Sequence, residues 1–494
     1  MPFQSSSARF GLGRVVLQRL SIDPGSGLFV TNYDTTGNIQ WVARITGGTT
    51  FGGIAVDNSQ NVYVIGGFTG TTLTFFNANG TTFGTLTNGS STSSSDVFVA
   101  KYKSNGTVEW TARMGSTATV DDLGSSIAID SSGNVYVTGY YVSSPLDVFN
   151  AGGGSGASLT FDGVSDCFIV KYDTSGIVQW ATRIGGTSQE NGNGIAVDSS
   201  GNVYVTGFYS ASARVYNLNG TTYATLSGTG GFIVKYDTSG APQWVVRITG
   251  AGGEVGNAID VDSSGNVYVT GNFSSATATF LNANGTTAGT LSAVGNNDTF
   301  FVKYNTSGAN QWIARIAGTG SESGNAIAVD ISGNVYVTGT YSSDVSIYNS
   351  SGPSFGSFAF TGTGDECFIA KYNTSGTVQW TSRISGSLVE RGRGISVDDS
   401  GNVYVAGMFT SGTTTILNAS GSTFATLNFG GSSGSDGFMV KYDTSGVGQW
   451  VARVSGNGSE SFGPIAVTGS GNVYAYGTYS SQLGSIPTLY SAGF

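Results

Sequence analysis

Histidine is absent from all 494 residues, which removes the commonest general base, Ser-His triads and histidine metal sites together. Acid-base or metal chemistry would therefore fall to the 30 Asp and Glu side chains. The most suggestive acids recur at one place. Asp122, Glu190, Glu254, Glu322, Glu390 and Glu460 each stand five residues before an isoleucine that opens an apolar run, with Thr49 in the seventh position. If those runs are inner strands crowding an axis, the six carboxylates form a ring at a channel mouth. Such a ring would hold a cation or a basic partner, and its members would raise one another's pKa. The plainer reading is a set of solvated loops with backbone hydrogen bonds, part-neutralised by Arg391 and Arg393. A glycosidase-type pair needs two acids in distinct environments, whereas these look interchangeable. The chain is accordingly read as not an enzyme, with a carboxylate-dependent hydrolase or lyase as the catalytic alternative. No cofactor is expected, calcium or another cation being the exception that the acids would admit.

The remaining reactive types read as structural. Cys167 and Cys367 occupy the same place in two distant repeats, too far apart for the roughly 7 Å Cα limit of a disulfide, and nothing basic stands beside them to hold a thiolate. Of the 20 Lys and Arg, seven are arginines that follow a tryptophan by three residues and six are lysines before a tyrosine (Lys101, Lys171, Lys235, Lys303, Lys371, Lys441). Letting Tyr172 face Ile177 across a turn sets Asp166 opposite Arg183. The same 17-residue spacing pairs Asp96 with Arg113, Asp298 with Arg315, Glu366 with Arg383 and Asp436 with Arg453, while Gly230 and Gly27 break the pattern. Aspartates such as Asp198 and Asp173 fall in turns, where their side chains bond nearby backbone N–H groups. A formal net charge of −10 argues against a nucleic-acid surface.

The elements that position these residues are written seven times. Trp41, Trp110, Trp180, Trp244, Trp312, Trp380 and Trp450 are 69, 70, 64, 68, 68 and 70 residues apart, a period larger than a helical hairpin. Each unit reads as two tight hairpins, typified by GIAVDSSGNVYVTG from Gly194 and GFIVKYDTSGAPQWVVRI from Gly231. Four strands follow, at 195–198, 203–207, 232–236 and 243–248. The chain opens with a second half, LFVTNYDTTGNIQWVARI at Leu28, and closes with a first half, PIAVTGSGNVYAYG at Pro464. Pairing the ends makes one composite blade and protects open sheet edges. The expected architecture is an all-β, seven-bladed β-propeller over 25–494, preceded by a basic arm over 1–24. Its composite blade joins 27–46 to 464–494, and its other blades span 52–115, 125–185, 193–249, 257–317, 325–385 and 393–455.

Blocks such as GNVYVTG and FIVKYDTSG with a following tryptophan resemble the SBBP-type β-propeller repeat family, over nearly everything after about Gly25. The resemblance implies the propeller fold and, since the family occurs mostly in bacterial surface proteins and in large proteins including some of giant viruses, little chemistry. The YDTSGxVQW segment is also similar to the tryptophan-docking segment of quinoprotein-type propellers. This implies that the seven indoles pack between neighbouring blades. No departure from the repeat resembles a dedicated quinone pocket.

Between the second and third strands most units insert about 20 residues with their own echo: FFNANGTTFGTL at Phe75, VYNLNGTTYATL at Val215, FLNANGTTAGTL at Phe280 and ILNASGSTFATL at Ile416. IYNSSGPSFGSF and VFNAGGGSGASL are degenerate copies. Asn-Gly between apolar runs predicts an extra hairpin, so the inserts are expected to make a low-charge crown on one face or rim. Phe83, Tyr223 and Phe424 within them are candidate glycan-stacking platforms, and Asn219 and Asn284 begin glycosylation sequons. The arm carries Arg9, Arg14 and Arg19 and no acid through residue 22, which suits an added strand or an anchor in a partner subunit. No run spans a bilayer and residues 1–23 lack the apolar stretch of a signal peptide. The leading expectation is a non-enzymatic structural or adhesive propeller of a cell surface or virus particle, with extracellular, surface or virion localisation. Its partners would be subunits of an assembly or surface glycans. A lectin-like carbohydrate-binding module is the alternative.

Overall fold

The computed structural model describes residues 5–8, 15–18, 26–90, 94–431, 433–480, 483–485 and 488–491, and every named element is a strand. Residues rich in Val, Ile and Tyr and interrupted by Asp-Ser-Gly-Asn turns cannot sustain a helical period, so each repeat folds as an antiparallel meander. One blade consists of Glu190–Val197, Val203–Tyr209, Gly230–Tyr236 and Pro242–Thr249, paired in that order. The chain divides into two compact units. Ile45–Ala317 holds four such sheets, and Met1–Arg44 with Gly318–Phe494 holds three. One of the three is composite: Gly27–Tyr33 pairs with Val473–Tyr479 in an unbroken register from Gly27 opposite Tyr479 to Tyr33 opposite Val473. The fold is a seven-bladed β-propeller.

Within each unit the core lies between neighbouring sheets. Tyr136, Cys167 and Ile169 of one blade, for example, pack with Ile195, Val205, Phe232 and Val234 of the next. Second and third strands are buried on both faces and so read as continuous rather than alternating apolar runs. Cys167 and Cys367 are fully buried free thiols, and burial pushes the Cys167 thiol up to about 12.

Three expectations are corrected. First, the hairpin register is displaced. Gly176, at φ +78°, ends the Asp173 turn in the left-handed region, and a bulge follows, so Tyr172 faces Val178 and Phe168, not Asp166, faces Arg183. Second, the first strand begins at Glu190 rather than at residue 195, because a bulge between Gly192 and Gly194 carries the pairing through a glycine-rich segment that lacks β-formers. Third, the inserts, which the Asn-Gly signal leaves open between a face and the rim, extend the sheets beyond their fourth strands rather than standing apart from them. They are hairpins, Thr72–Phe76 with Thr82–Thr87, Leu146–Phe149 with Ser155–Leu159, Ala213–Tyr216 with Thr222–Leu226, Thr277–Leu281 with Thr287–Ser292, Val345–Tyr348 with Ser354–Phe358, and Thr413–Leu417 with Thr423–Asn428. Each described junction is with the fourth strand of the preceding blade: Phe75 opposite Ile45, Val148 opposite Met114, Val215 opposite Ile184, Phe280 opposite Ile248 and Ile416 opposite Ile384. The reason is the open edge of that fourth strand, whose N–H and C=O groups the hairpin satisfies.

The last such edge, on Gly448–Gly456, receives Leu483–Ser485 and Thr488–Ser491; Val15–Gln18 pairs with Thr488–Ser491, and Ser5–Ala8 with Val15–Gln18. The arm thus contributes two added strands to that sheet. Arg9, Arg14 and Arg19 lie outside the described residues.

Candidate functional site

The acids singled out above are buried, not solvated at a channel mouth: Asp122, Glu190, Glu322, Glu390 and Glu460 are 0% exposed and Glu254 is 1% exposed. Each sits on the first strand or the residue before it, where the early start of pairing draws the carboxylate into its own blade. A serine 21 residues later meets most of them. Ser143 bonds Asp122, Ser275 bonds Glu254, and Ser343 reaches Glu322 at 3.3 Å. Asp122 also accepts the Val142 N–H at 2.9 Å, Glu322 the Gly318 N–H at 2.9 Å, and Glu390 the Thr414 hydroxyl at 3.1 Å. In the Glu190 blade the serine position is Ala211, at φ +61°, and neither carboxylate oxygen finds a side-chain partner. Burial raises all the acids for which a shift is resolved: Asp122 to about 6, Glu390 to about 7, Glu190 to about 8, and Glu254 upward. Mutual repulsion is not the main cause. For Glu190 the next contribution after burial is the negative charge of Asp166 on the preceding blade. Thr49, in the seventh position, opens its strand half-buried.

Asp166 belongs to the acid–arginine set, which forms despite the displaced register. Asp166 reaches Arg183 at 2.5 Å by folding over Gly185, where a Cβ would stand 2.4 Å from the carboxylate. Arg183 also meets Asp162 at 2.7 Å and lies over the Tyr216 ring, 4.1 Å from its centroid. Asp96 holds Arg113 at 2.5 Å, while Glu366–Arg383 and Asp436–Arg453 stand at 3.9 and 3.8 Å. Where Gly230 replaces the acid, Arg247 bonds the Ser227 carbonyl at 3.3 Å. Chemically, each cluster is a charge-compensated lock at a blade junction. Among the described residues no group of three or more His, Cys, Asp or Glu side chains is placed to hold a metal ion.

The indoles lie where neighbouring blades meet. Trp110, Trp180 and Trp244 in one unit donate to the carbonyls of Thr174, Thr238 and Thr306 in the turn of the next blade, at 3.0–3.3 Å; Trp380 and Trp450 in the other donate to Thr444 and Thr35 at 3.0 and 3.3 Å. The lysine of the third strand reaches the same carbonyl, as Lys101 does to Thr174 at 3.2 Å, while resting on a tyrosine ring, Tyr63, 5.3 Å away. Trp312 and Trp41 pack at a tilt against Tyr268 and Tyr474, with ring centroids 6.2 and 6.1 Å apart. A methyl at Gly176 would lie 2.9 Å from the Trp110 ring and 2.6 Å from Ala151. Gly176→Ala is therefore expected to cost about 1–3 kcal/mol and to shift indole emission, since it combines a left-handed φ with a clash. A melt and an emission spectrum identical to wild type would exclude this turn as the indole's dock.

Turn aspartates are saturated. Asp198 accepts the Ser200 and Asn202 N–H groups at 2.9 Å, the Asn202 amide at 2.8 Å and the Tyr204 hydroxyl at 2.9 Å, and Asp173 accepts the Ser175 and Ile177 N–H groups at 2.9 and 3.0 Å. The tyrosine six residues after the aspartate completes this set, at a D-x-x-x-N-x-Y spacing that recurs in the sequence. The role of the first insert asparagine was missed: Asn77, Asn150, Asn282, Asn349 and Asn418 accept the N–H of Val108, Val178, Asn310, Val378 and Gly448 at 2.8–2.9 Å, clipping each hairpin to its own blade.

On the hairpins, Phe83 and Tyr223 are 43% and 41% exposed, joined by Phe355 at 48%, which the degenerate repeat had hidden. Tyr223 donates to the Gln243 carbonyl at 2.6 Å, and Phe424 lies flat over Gly448, so a ring face of Phe424 is already covered. Asn219 and Asn284 are exposed at hairpin tips, their carbonyls accepting the hydroxyls of Thr221 and Thr286 at 2.6 Å. No helix is long and apolar enough to cross a membrane among the described residues.

The β-propeller repeat family (SBBP) matches at residues 109–140, 179–207, 243–272, 311–340 and 379–408. An uncharacterized WD repeat-containing protein, L264, of Acanthamoeba polyphaga mimivirus is 29% identical over 369 residues, 65% of this chain and 26% of that protein. The regulatory protein FlaEY of Caulobacter vibrioides is 32% identical over 110 residues, 22% of this chain and 12% of its own length. The chain thus spans about a quarter or less of these relatives. Among solved structures, rhamnogalacturonan lyase YesW aligns over 99% of this chain and 91% of its own at 12% identity and a TM-score of 0.32. From the repeat matches and the sheets described above, the chain is a seven-bladed β-propeller built on the SBBP-type β-propeller repeat.

Proposed function

We propose that this propeller is a non-catalytic structural or adhesive module, presenting its hairpins to a protein or glycan partner on a cell surface or a virus particle. The observation that carries the reading is where the polar chemistry goes. The acids, arginines, lysines and indoles are consumed, blade after blade, in internal locks, whereas the outward hairpin positions are Thr, Ser, Asn and exposed aromatics. Energy spent on rigid junctions favours presentation of a surface over chemistry at a single asymmetric site. Cross-linking mass spectrometry in the native source tests it: linked peptides should concentrate on the hairpins and join the chain to neighbouring subunits. Turnover of a polysaccharide that is abolished by Glu190→Gln would instead establish the hydrolase or lyase reading.

A lectin-like role is favoured by one observation, the recurrence of exposed aromatics Phe83, Tyr223 and Phe355 at one hairpin position. Aromatic faces stack on apolar faces of ligands through burial and ring electrostatics. If that role holds, a glycan array gives several equivalent sites per chain, and Tyr223→Ala removes about one site's share of binding. Binding with unchanged stoichiometry in the triple Phe83→Ala, Tyr223→Ala, Phe355→Ala variant would eliminate it.

A further inference from the structure

Six outermost strands end their sheets with nothing beyond them among the described residues: Thr82–Thr87, Ser155–Leu159, Thr222–Leu226, Thr287–Ser292, Ser354–Phe358 and Thr423–Asn428. An open edge offers a row of unpaired N–H and C=O groups to any extended chain, and edges are normally guarded by Lys, by Pro or by inward charges. None of these six strands contains Asp, Glu, Lys, Arg or Pro. They are five or six residues long and alternate exposed Thr, Ser or aromatic positions with half-buried ones, as in Phe83, Thr85 and Thr87.

We propose that these unguarded strips are homotypic docking edges, each pairing antiparallel with a strip of a second copy of this chain. The inference rests on the structural-module reading and names its partner. Three observations favour a second copy. Identical strands placed antiparallel are self-complementary about a two-fold axis, the commonest symmetry of assembly. A chain of net charge −10 repels its copies, and the strips are places where two copies meet without like charges facing. The rim also already accepts added strands: beyond Gly448–Gly456 the sheet continues through Thr488–Ser491, Val15–Gln18 and Ser5–Ala8. Exposed Phe83, Tyr223 and Phe355 supply aromatic cross-strand contacts at three strips. A single junction of five or six residues is weak, and several per chain add through effective concentration.

The test is sedimentation of the full chain over a rising concentration series, beside the variant Thr85→Lys, Thr290→Lys, Thr426→Lys, whose cross-strand partners are threonines. Each of these threonines is exposed in mid-strip, so far-UV circular dichroism and melting should match wild type. Wild type is expected to shift from monomer to dimer and larger species, with amide exchange slowing at the strips. The lysine variant should need at least tenfold higher concentration for the same shift. A wild type that stays monomeric throughout, or a variant that associates equally, overturns the proposal. If the wild type is monomeric and native-source cross-links place the strips against a different protein, the homotypic docking falls while the structural-module reading stands. Absence of hairpin cross-links to any subunit overturns both.

Discussion

Replacing Arg183 with alanine is expected to destabilise its blade junction by about 3–5 kcal/mol, the cost typical of stranding a buried carboxylate. Asp166 is 0% exposed, one of its oxygens has no partner besides, and Glu190 adds a second acid across the junction. Loss of the guanidinium also removes the cover on Tyr216 and the tie to Asp162. The internal control is Arg247→Ala, in the blade where Gly230 takes the place of the acid. There the arginine bonds a backbone carbonyl, and the expected cost is about 1 kcal/mol. A third variant separates charge from packing: Asp166→Leu with Arg183→Met removes both charges and should recover most of the stability, since buried pairs often match apolar pairs of similar volume. Because a repeat architecture need not unfold in one step, the measurement is local hydrogen exchange across the junction together with the melt. Equal losses at Arg183 and Arg247 would show that the clusters do not act as charge locks.

The contrast between these arginines marks what could be read from the chain. Seven tryptophans at one period fixed the blade count, and the 17-residue spacing found the right acid for Arg113, Arg183, Arg383 and Arg453. The register behind that pairing was wrong by two residues, because a left-handed Gly176 and the bulge after it have no counterpart in an apolar-polar pattern. In the sequence Glu190 has the character of a loop residue for the same reason: a glycine-rich strand start held by a bulge lacks the residues that announce a strand. Hairpins were legible from Asn-Gly, but their docking on the preceding blade is a non-local choice, set by the open edge of the fourth strand. The serine 21 residues after five of the six acids stands in plain sight in the sequence, Ala211 being the exception. It acquires meaning only once the acid is known to be buried and in need of a donor.

Buried acids of this kind make the protein more stable in mild acid than in mild alkali. Asp122, Asp166 and Asp436 are raised to about 6, Glu390 to about 7 and Glu190 to about 8, each chiefly by burial. In every case the folded state holds a proton that the unfolded chain would already have released, since unfolded Asp and Glu titrate near 3.9 and 4.3. That contribution is complete below the unfolded values, around pH 4, and is lost as pH rises through the folded values, between about 6 and 8. Asp34, Asp237 and Asp262 are lowered by hydrogen bonds that outweigh their partial burial, and their opposite contribution is lost only in stronger acid. Melting temperature should therefore peak on the acid side of neutrality and decline toward pH 9, roughly the end of the last titration. Glu190 dominates the final part of that decline because Ala211 stands where its counterparts have serine, so its ionised form has the least support. Glu190→Gln keeps the shape and removes the proton. At about pH 5 the variant should melt with wild type, and at about pH 9 it should be more stable by about 1–3 kcal/mol. If the variant melts no higher than wild type at the alkaline end, the Glu190 carboxylate is not the group that loosens the junction.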